Sequence, residues 1–326
     1  MATSLYQLAY LLREQGEFDA AEPLFRESLA MRRSLFGDRH ASVIESLNGL
    51  AFLLRGRGDF AASEALYRES LGYARAGLGP SNRLLAETIQ GLASSLFGLG
   101  KHREAEPLFR EAVTLQLELL GRDHPSTMVV RYNQARNFQY LGDFDAAEPY
   151  YRDMLEQDPR IYGADHPMVA VGLTGFGEFL LERGDAARAE TYFRKALTIQ
   201  RKALPRESER TAATLVGLGR ALMDAGKPRD AEPLLREALF IREKKLVASH
   251  WQLAESRSVL GACLSARGRL AEAEPLLIAG YATLSGQRRA TDPTLQRALE
   301  ALIAHFTRTG QGEVAVRYRS LRAQRD

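Results

Sequence analysis

Cysteine is nearly absent from this 326-residue chain. The single Cys263 excludes an internal disulfide and any cysteine-based zinc site. Lysine is scarce too: six residues, which leaves 38 of the 44 basic side chains as arginine. There is one tryptophan, Trp251. No apolar run reaches 18 residues, so no segment reads as a membrane-spanning helix. The N-terminal stretch lacks the basic region of a signal peptide, and a cytoplasmic protein is the default expectation. Charge of one sign is missing over most of the length. The formal net charge is +3, yet residues 286–326 hold eight arginines against Asp292, Glu300, Glu313 and Asp326, so residues 1–285 carry −1. A basic nucleic-acid face along the whole molecule is therefore disfavoured. Hydrophobic residues at 45% and charged residues at 26% exclude a disordered composition.

What the chain does have is a period. Glycines stand at 16, 58, 100, 142, 184, 226, 268 and 310, each 42 residues from the next with no insertion or deletion. Five residues after each comes a small residue, from Ala21 and Ser63 to Ala273 and Ala315. One further on is a glutamate column, Glu22, Glu64, Glu106, Glu148, Glu190, Glu232 and Glu274, broken only by Val316. Nine after the glycine stands a bulky residue: Phe25, Tyr67, Phe109, Tyr151, Phe193, Leu235 and Leu277, with Arg319 in the eighth copy. Four before it are Leu12, Leu54, Leu96, Phe138, Leu180, Leu222, Leu264 and Phe306.

These spacings predict two helices per repeat. Leu47, Leu50 and Leu54 form one apolar stripe on a first helix, helix A, which ends at Gly58 in a left-handed turn. Helix B follows through Leu66, Tyr67 and Leu71. Loops such as Leu120-Gly-Arg-Asp-His-Pro125 join one repeat to the next, with proline at the first position of the following helix A. Pro23, Pro107, Pro149, Pro233 and Pro275 fall seven after their glycines, so helix B either starts late or bends there. The expected repeats are 1–38, 39–80, 81–122, 123–164, 165–206, 207–248, 249–290 and 291–326, one array over 1–326 without a linker. Arg319 reads as an adaptation of the terminal repeat.

The columns resemble the tetratricopeptide repeat, in the 42-residue variety of kinesin light chains and many bacterial proteins. The motif is Leu-x-x-Leu-Ala-x-x-Leu, then Gly-x-Phe-x-x-Ala-Glu-Pro-Leu-Phe-Arg-Glu, then Gly-x-Asp-His-Pro. Ser46-Leu47-Asn48-Gly49-Leu50-Ala51 is close to the light-chain helix A signature, with Gly49 where that family usually has asparagine. The resemblance covers residues 3–325. It implies an all-α, right-handed α-solenoid of about eight helix-turn-helix repeats. It also implies a non-catalytic scaffold that binds a peptide or partner protein in a concave groove lined by helix A.

Other chemistry fares less well. His40, His124, His166 and His250 share one loop column, and equivalent positions lie roughly 8–10 Å apart in stacked helices, too far to converge on one metal. They read as loop and capping residues. Gly175-Phe-Gly177 and Gly217-Leu-Gly219 lack the third glycine and the strand of a dinucleotide loop, and read as helix-packing glycines. Gly100-Lys101 and Gly226-Lys227 lack the Ser or Thr of a phosphate loop. The glutamate column is expected to face the helix dipole or pair with Arg26, Arg68, Arg110, Arg152, Arg194 and Arg236 four residues on. Cys263 reads as an ordinary small residue, and Trp251 as a loop residue covering a helix end. No catalytic residue, cofactor or metal is expected.

Columns that vary while their neighbours stay fixed are free for recognition. By analogy with tetratricopeptide arrays, positions 10, 6, 3 and 2 before the glycine face the groove. These give Tyr132, Arg136, Gln139 and Tyr140 in the fourth repeat with Asn133 beside them, flanked by Gln90, Ser94 and Phe97 and by Thr174, Glu178 and Arg220. Aromatic, arginine and amide groups suit a peptide backbone and its carboxylates. The plainer reading is that Arg136, Glu178 and Arg220 neutralise one another as a ladder. Two further expectations stand beside the scaffold: a sensor or regulatory arm of a larger signalling protein, suggested by the start inside helix A, and, less favoured, nucleic-acid contact through Arg308, Arg317, Arg319, Arg322 and Arg325.

Overall fold

The computed structural model describes residues 1–288 and 292–323, with the side chains of Arg322 and Ala323 excepted. Arg325 and part of the basic tail therefore lie outside the described residues. The chain is all-α: sixteen helices in eight antiparallel pairs, and no strand among the described residues. Contacts divide it into two compact units, Met1–Tyr150 and Tyr151–Asp326.

The first unit holds α1 (Ala2–Glu14), α2 (Phe18–Phe36), α3 (Ala41–Gly56), α4 (Phe60–Gly77), α5 (Arg83–Gly98), α6 (His102–Leu120), α7 (Pro125–Tyr140) and the start of α8 (Phe144–Tyr162). The second holds the rest of α8 and α9 (Pro167–Glu182), α10 (Ala186–Ala203), α11 (Glu209–Asp224), α12 (Pro228–Lys245), α13 (Trp251–Ala266), α14 (Leu270–Gln287), α15 (Pro293–Arg308) and α16 (Gly312–Ala323). Odd-numbered helices are the A helices and even-numbered ones the B helices.

All eight periodic glycines take positive φ, from 69° to 85°, where a side chain would be strained. Helix B starts two residues later in every repeat, so its proline lies inside the helix, one turn in, and the late-start alternative is excluded. The bulky column forms the core. Phe25, Phe109, Tyr151, Phe193 and Leu277 are fully buried. Glycines in helix A make room for them. A Cβ on Gly177 would lie 2.9 Å from Phe193, and one on Gly217, in the following helix A, 2.5 Å from the same ring. Those glycines are packing positions, as the sequence suggests.

The histidine column caps. Nδ1 of His40, His124, His166 and His250 accepts the amide of Ser42, Ser126, Met168 and Gln252 at the start of the next helix A. Asn82 and Asp292 do the same for α5 and α15. Trp251 departs from expectation: it is the first residue of α13 rather than a loop residue, because His250 supplies the cap. The Arg288 guanidinium lies 3.9 Å from its ring centre. Cys263 is buried, its thiol donating to the Pro228 carbonyl at 3.2 Å.

Candidate functional site

Each unit presents its A helices along one side, and their variable columns are the candidate surface. In the first unit, α5 and α7 bring Phe97, Tyr132, Arg136 and Tyr140 together. The Arg136 guanidinium lies 5.1 Å from the centre of the Phe97 ring and 5.8 Å from that of Tyr132. Tyr140 stacks on His102 with 4.9 Å between ring centres and meets Phe97 edge-on at 5.1 Å. His102 opens α6, so this ring cluster ties three consecutive helices together. All four expected groove side chains are half-buried, which leaves part of each surface to solvent.

The other expected residues divide. Gln90 is half-buried and accepts from the Gln116 amide at 2.7 Å. Ser94 is half-buried, and its hydroxyl finds no hydrogen-bond partner among the described residues. Asn133 and Gln139 are half-buried on α7. Asn133 occupies the column that is glycine at 49, 91, 175 and 217.

Three arginine–aromatic contacts escaped the sequence reading. The Arg13 guanidinium lies between Tyr10 and Phe52, 4.2 and 4.4 Å from their ring centres, and Arg55 lies 4.7 Å from Phe52. Tyr10 and Phe52 are 44% and 42% exposed, high for large rings that no core requires. All four sit in the columns 6 and 3 before the glycine. Extending those columns to the first two repeats finds them. A cation held against an aromatic face is favourable by about 0.5–2 kcal/mol, more when water is excluded.

The second unit, taken by itself, is ionic. Thr174 is buried, not surface: its hydroxyl bonds the Ala170 carbonyl at 2.8 Å and the Thr214 hydroxyl at 2.9 Å, joining α9 to α11. The cause is the close approach of two A helices, which shields a short side chain at this column. Arg220 is directed to Glu182 at 2.9 Å rather than to Glu178, which acts on it through its charge. Glu182 also receives Arg297, from α15, on the same oxygen at 3.0 Å. Burial works against the charge on Arg220, but Glu182, Glu255 and Glu178 raise its pKa. Burial pushes the neighbouring Asp224 carboxyl upward, against the pull of Arg220 and Arg297. Glu182 and Asp224 lie in the column of Tyr140, two before the glycine.

Each unit also holds a buried arginine that the periodicity did not single out. Arg242 is 1% exposed, donating to Glu209, Glu255, Ser256 and the Gln252 carbonyl. Arg32 repeats the pattern with Ser46, Glu45 and the Ser42 carbonyl. Each clamps helix B to the start of the next helix A.

The glutamate column behaves as expected and does more. Glu22, Glu64, Glu106, Glu190 and Glu232 each pair with the arginine four residues on. Glu64 also receives Lys101, Glu190 receives Lys227, and Glu232 receives Arg269, each a cation from the turn of the next repeat. These carboxylates are stacking clamps between successive repeats.

The Tetratricopeptide repeat profile matches residues 1–76, 85–160, 168–244 and 210–284, and a second Tetratricopeptide repeat profile matches 132–203. No curated protein matches. Among solved structures, BtubC (BKLC) from P. vanneervenii is 25% identical with a TM-score of 0.55, over 70% of this chain and 91% of that one. The quorum sensor NprR from B. thuringiensis, in its apo form, gives a TM-score of 0.68 at 14% identity, over 99% of this chain and 86% of that one. A Rap protein complexed with Competence and Sporulation Factor gives 0.58 at 14%, over 100% and 99%. With matches spanning most of its length, the chain belongs to the tetratricopeptide repeat family.

Proposed function

We propose that this chain is a non-catalytic binding scaffold of the cytoplasm, which holds a peptide segment of a partner protein on its helix A faces. One observation carries the reading: on the first unit Arg136 is lodged against Phe97 and Tyr132, and Arg13 and Arg55 against Phe52, all in columns that the stacking core leaves variable. Guanidinium groups fixed in this way are preorganised for carboxylates and backbone carbonyls of a ligand, and the rings offer flat apolar contact at small entropic cost. Gln90, Ser94, Asn133, Gln139 and Tyr140 supply polar groups around them. Glu178 and Arg220 belong to the separate surface of the second unit. Thr174, being buried, is left out. A Rap protein complexed with Competence and Sporulation Factor shares the fold, which supports a binding role for this array.

A photoreactive residue replacing Asn133, compared with one replacing the exposed Arg110 of helix B, tests the proposal. Partner peptides should crosslink from position 133 and not from 110. Crosslinking from 110 alone would transfer the site to the helix B surface.

A further inference from the structure

In the second unit a cavity of about 770 Å³ opens between the B helices α10 and α12 and the segment 204–208 that leads into α11. Small-molecule sites have volumes of roughly 300–1,000 Å³. The cavity stands apart from the variable helix A columns. Its walls are the end of α10, the linking segment, Thr211 and the second half of α12. Phe240, 53% exposed, lies in the wall with Leu204, Pro205 and Ile241. The Lys244 ammonium holds that ring, 4.4 Å from its centre.

Gln200 lines the same cavity and is 2% exposed. Its Nε2 donates to the Arg210 carbonyl at 3.4 Å, while Oε1 is buried and accepts no hydrogen bond among the described residues. The column explains how this arises. In other repeats it holds Arg32 and Arg242, which only donate, and the start of the next helix A meets them with carbonyl and hydroxyl acceptors. An amide satisfies such a junction with its NH2 alone, and its oxygen is left over. Gln116 shows the same: Nε2 goes to Gln90, and Oε1 is unmet. At Gln200 the unmet acceptor belongs to a cavity wall, where a ligand can bring the donor that burial makes costly to lack.

The rim supplies a cation. Arg201 pairs with Glu237 at 3.1 Å and Lys244 with Glu207 at 2.6 Å. Arg206, exposed in the linking segment, has no ion pair among the described residues. Arg201, Arg206 and Lys244 against Glu207 and Glu237 leave one positive charge in excess.

We propose that this cavity binds a small aromatic carboxylic acid that carries an N–H donor on its ring system. The ring lies against Phe240, the N–H donates to Oε1 of Gln200, and the carboxylate is held at Arg206. None of these residues belongs to the peptide surface of the first unit, and the inference goes beyond that reading.

The test titrates the full chain with indole-3-acetate by isothermal calorimetry, beside 1-methylindole-3-acetate, which keeps the ring and carboxylate and lacks the N–H. Indole-3-acetate should saturate a single site and bind about tenfold tighter than its methylated analogue. Gln200→Leu should remove that difference, weakening indole-3-acetate about tenfold and leaving the analogue unchanged. Arg206→Gln should weaken both acids about threefold, more at low salt than at high. Gln116→Leu removes the equivalent unmet acceptor from the first unit and should change nothing. Should Gln200→Leu melt early, Phe240→Ala at an exposed ring carries the test, weakening both acids about fivefold. Absence of saturation by indole-3-acetate overturns the proposal. So does equal affinity for the two acids, equal weakening of both by Gln200→Leu, or binding unmoved by Phe240→Ala. Failure of the crosslink at Asn133 would leave these results untouched, and the two readings fail separately.

Discussion

Lys101 reaches back to Glu64 in the preceding repeat, its Nζ 2.8 Å from Oε2 and 3.0 Å from Oε1. Arg68 holds Oε1 of the same carboxylate at 2.8 Å. Burial pushes the Glu64 carboxyl up, but hydrogen bonds from Lys101 and Arg68 outweigh it and hold the pKa below the usual value; Glu190 is held down in the same way by Lys227 and Arg194. A depressed carboxylate pKa means the folded chain binds fewer protons than the unfolded one. The stability is complete above the unfolded value, near 4.5, and is lost as pH falls through the folded value. Glu64→Gln should cost about 1–2 kcal/mol at neutral pH, the partial exposure of both cations keeping it modest. Urea melts from pH 7 down to pH 3 should show the variant converging on the parent at the acid end. A constant gap across that range would refute the clamp.

Helix glycines of two kinds give opposite expectations. A Cβ on Gly91 would lie 2.2 Å from the Tyr67 ring, whereas one on Gly72, exposed in the middle of α4, meets nothing within 4 Å. Gly91→Ala should destabilise by about 1–3 kcal/mol through overpacking. Gly72→Ala should stabilise by roughly 0.5–1 kcal/mol, since alanine loses less backbone entropy in a helix. Denaturant midpoints of the two variants measure the difference directly. Equal effects would mean that the close approach at Tyr67 is relieved by a small shift of α4.

The periodic part of this architecture was legible because stacking imposes one solution on every repeat. Gly16 to Gly310 must close the same turn, and Phe25 to Leu277 must fill the same gap, so each column repeats its chemistry. His124 and His166 were readable as caps for the same reason. The pairing of Glu64 with Lys101 was not, because the cation stands one residue after the turn glycine in some repeats and before it, as at Arg57, in others. Arg242 and Arg32 were hidden by a column that is Ala74, Gln116, Asp158 and Gln200 elsewhere. Groove residues obey no such repetition. Sequence spacing placed Arg136 and Tyr132 side by side, but it also selected Thr174, whose short side chain is covered when α9 and α11 approach. Arg297 could not be anticipated at all, since a contact spanning three repeats depends on how successive pairs are rotated.

His250 predicts a pH response of different origin. His250 accepts the Gln252 amide through Nδ1 at 3.3 Å, which requires that nitrogen to be unprotonated. Burial lowers its pKa, and Arg242 and Arg288 lower it further. Its contribution is fully present above the unfolded value near 6.5 and is lost as pH falls through the lower folded value. His250→Asn keeps a capping acceptor, as Asn82 does ahead of α5, but cannot be protonated. Between pH 7 and pH 5 the parent should lose more thermal stability than this variant. Identical losses would show that protonation at His250 is not coupled to folding.

Arg242 is the most costly single truncation expected. Replacing it with alanine empties one of the largest fully buried side chains among the described residues and strands Glu209, whose carboxyl burial already pushes upward against the pull of Arg242. Removing one partner from a buried ion pair typically costs about 3–5 kcal/mol. Arg242→Met fills the volume without the charge, so it leaves Glu209 and Glu255 uncompensated and should recover only part of the loss. Arg242→Met with Glu209→Gln should recover more, because only Glu255 then remains uncompensated. Calorimetric melting of the three variants ranks them, and full recovery by Met alone would show that packing, not charge, holds this junction.

Binding and stability should separate at α7. Tyr140 is a poor probe, because its stacking on His102 and edge contact with Phe97 tie α5, α6 and α7 together. Tyr132 and Arg136 are better placed: both are half-buried on the face, and the periodic core columns pass them by. Anchors of this type lose about 2 kcal/mol or more of binding when truncated at the centre of an interface. Tyr132→Ala with Arg136→Ala should therefore abolish capture of the peptide that crosslinks from position 133. The fold should persist with a small fall in melting temperature, reflecting the lost contact between Arg136 and Phe97. Phe138→Ala and Leu96→Ala should do the reverse. They remove buried core side chains at a cost of about 2–5 kcal/mol each, and the folded fraction should still bind. Normal capture by the double variant would move recognition to the Arg13–Phe52–Arg55 end of the same unit. A melting temperature as low as that of Phe138→Ala would show instead that Arg136 and its two rings belong to the scaffold, leaving Asn133 and Gln139 too sparsely supported to hold a peptide.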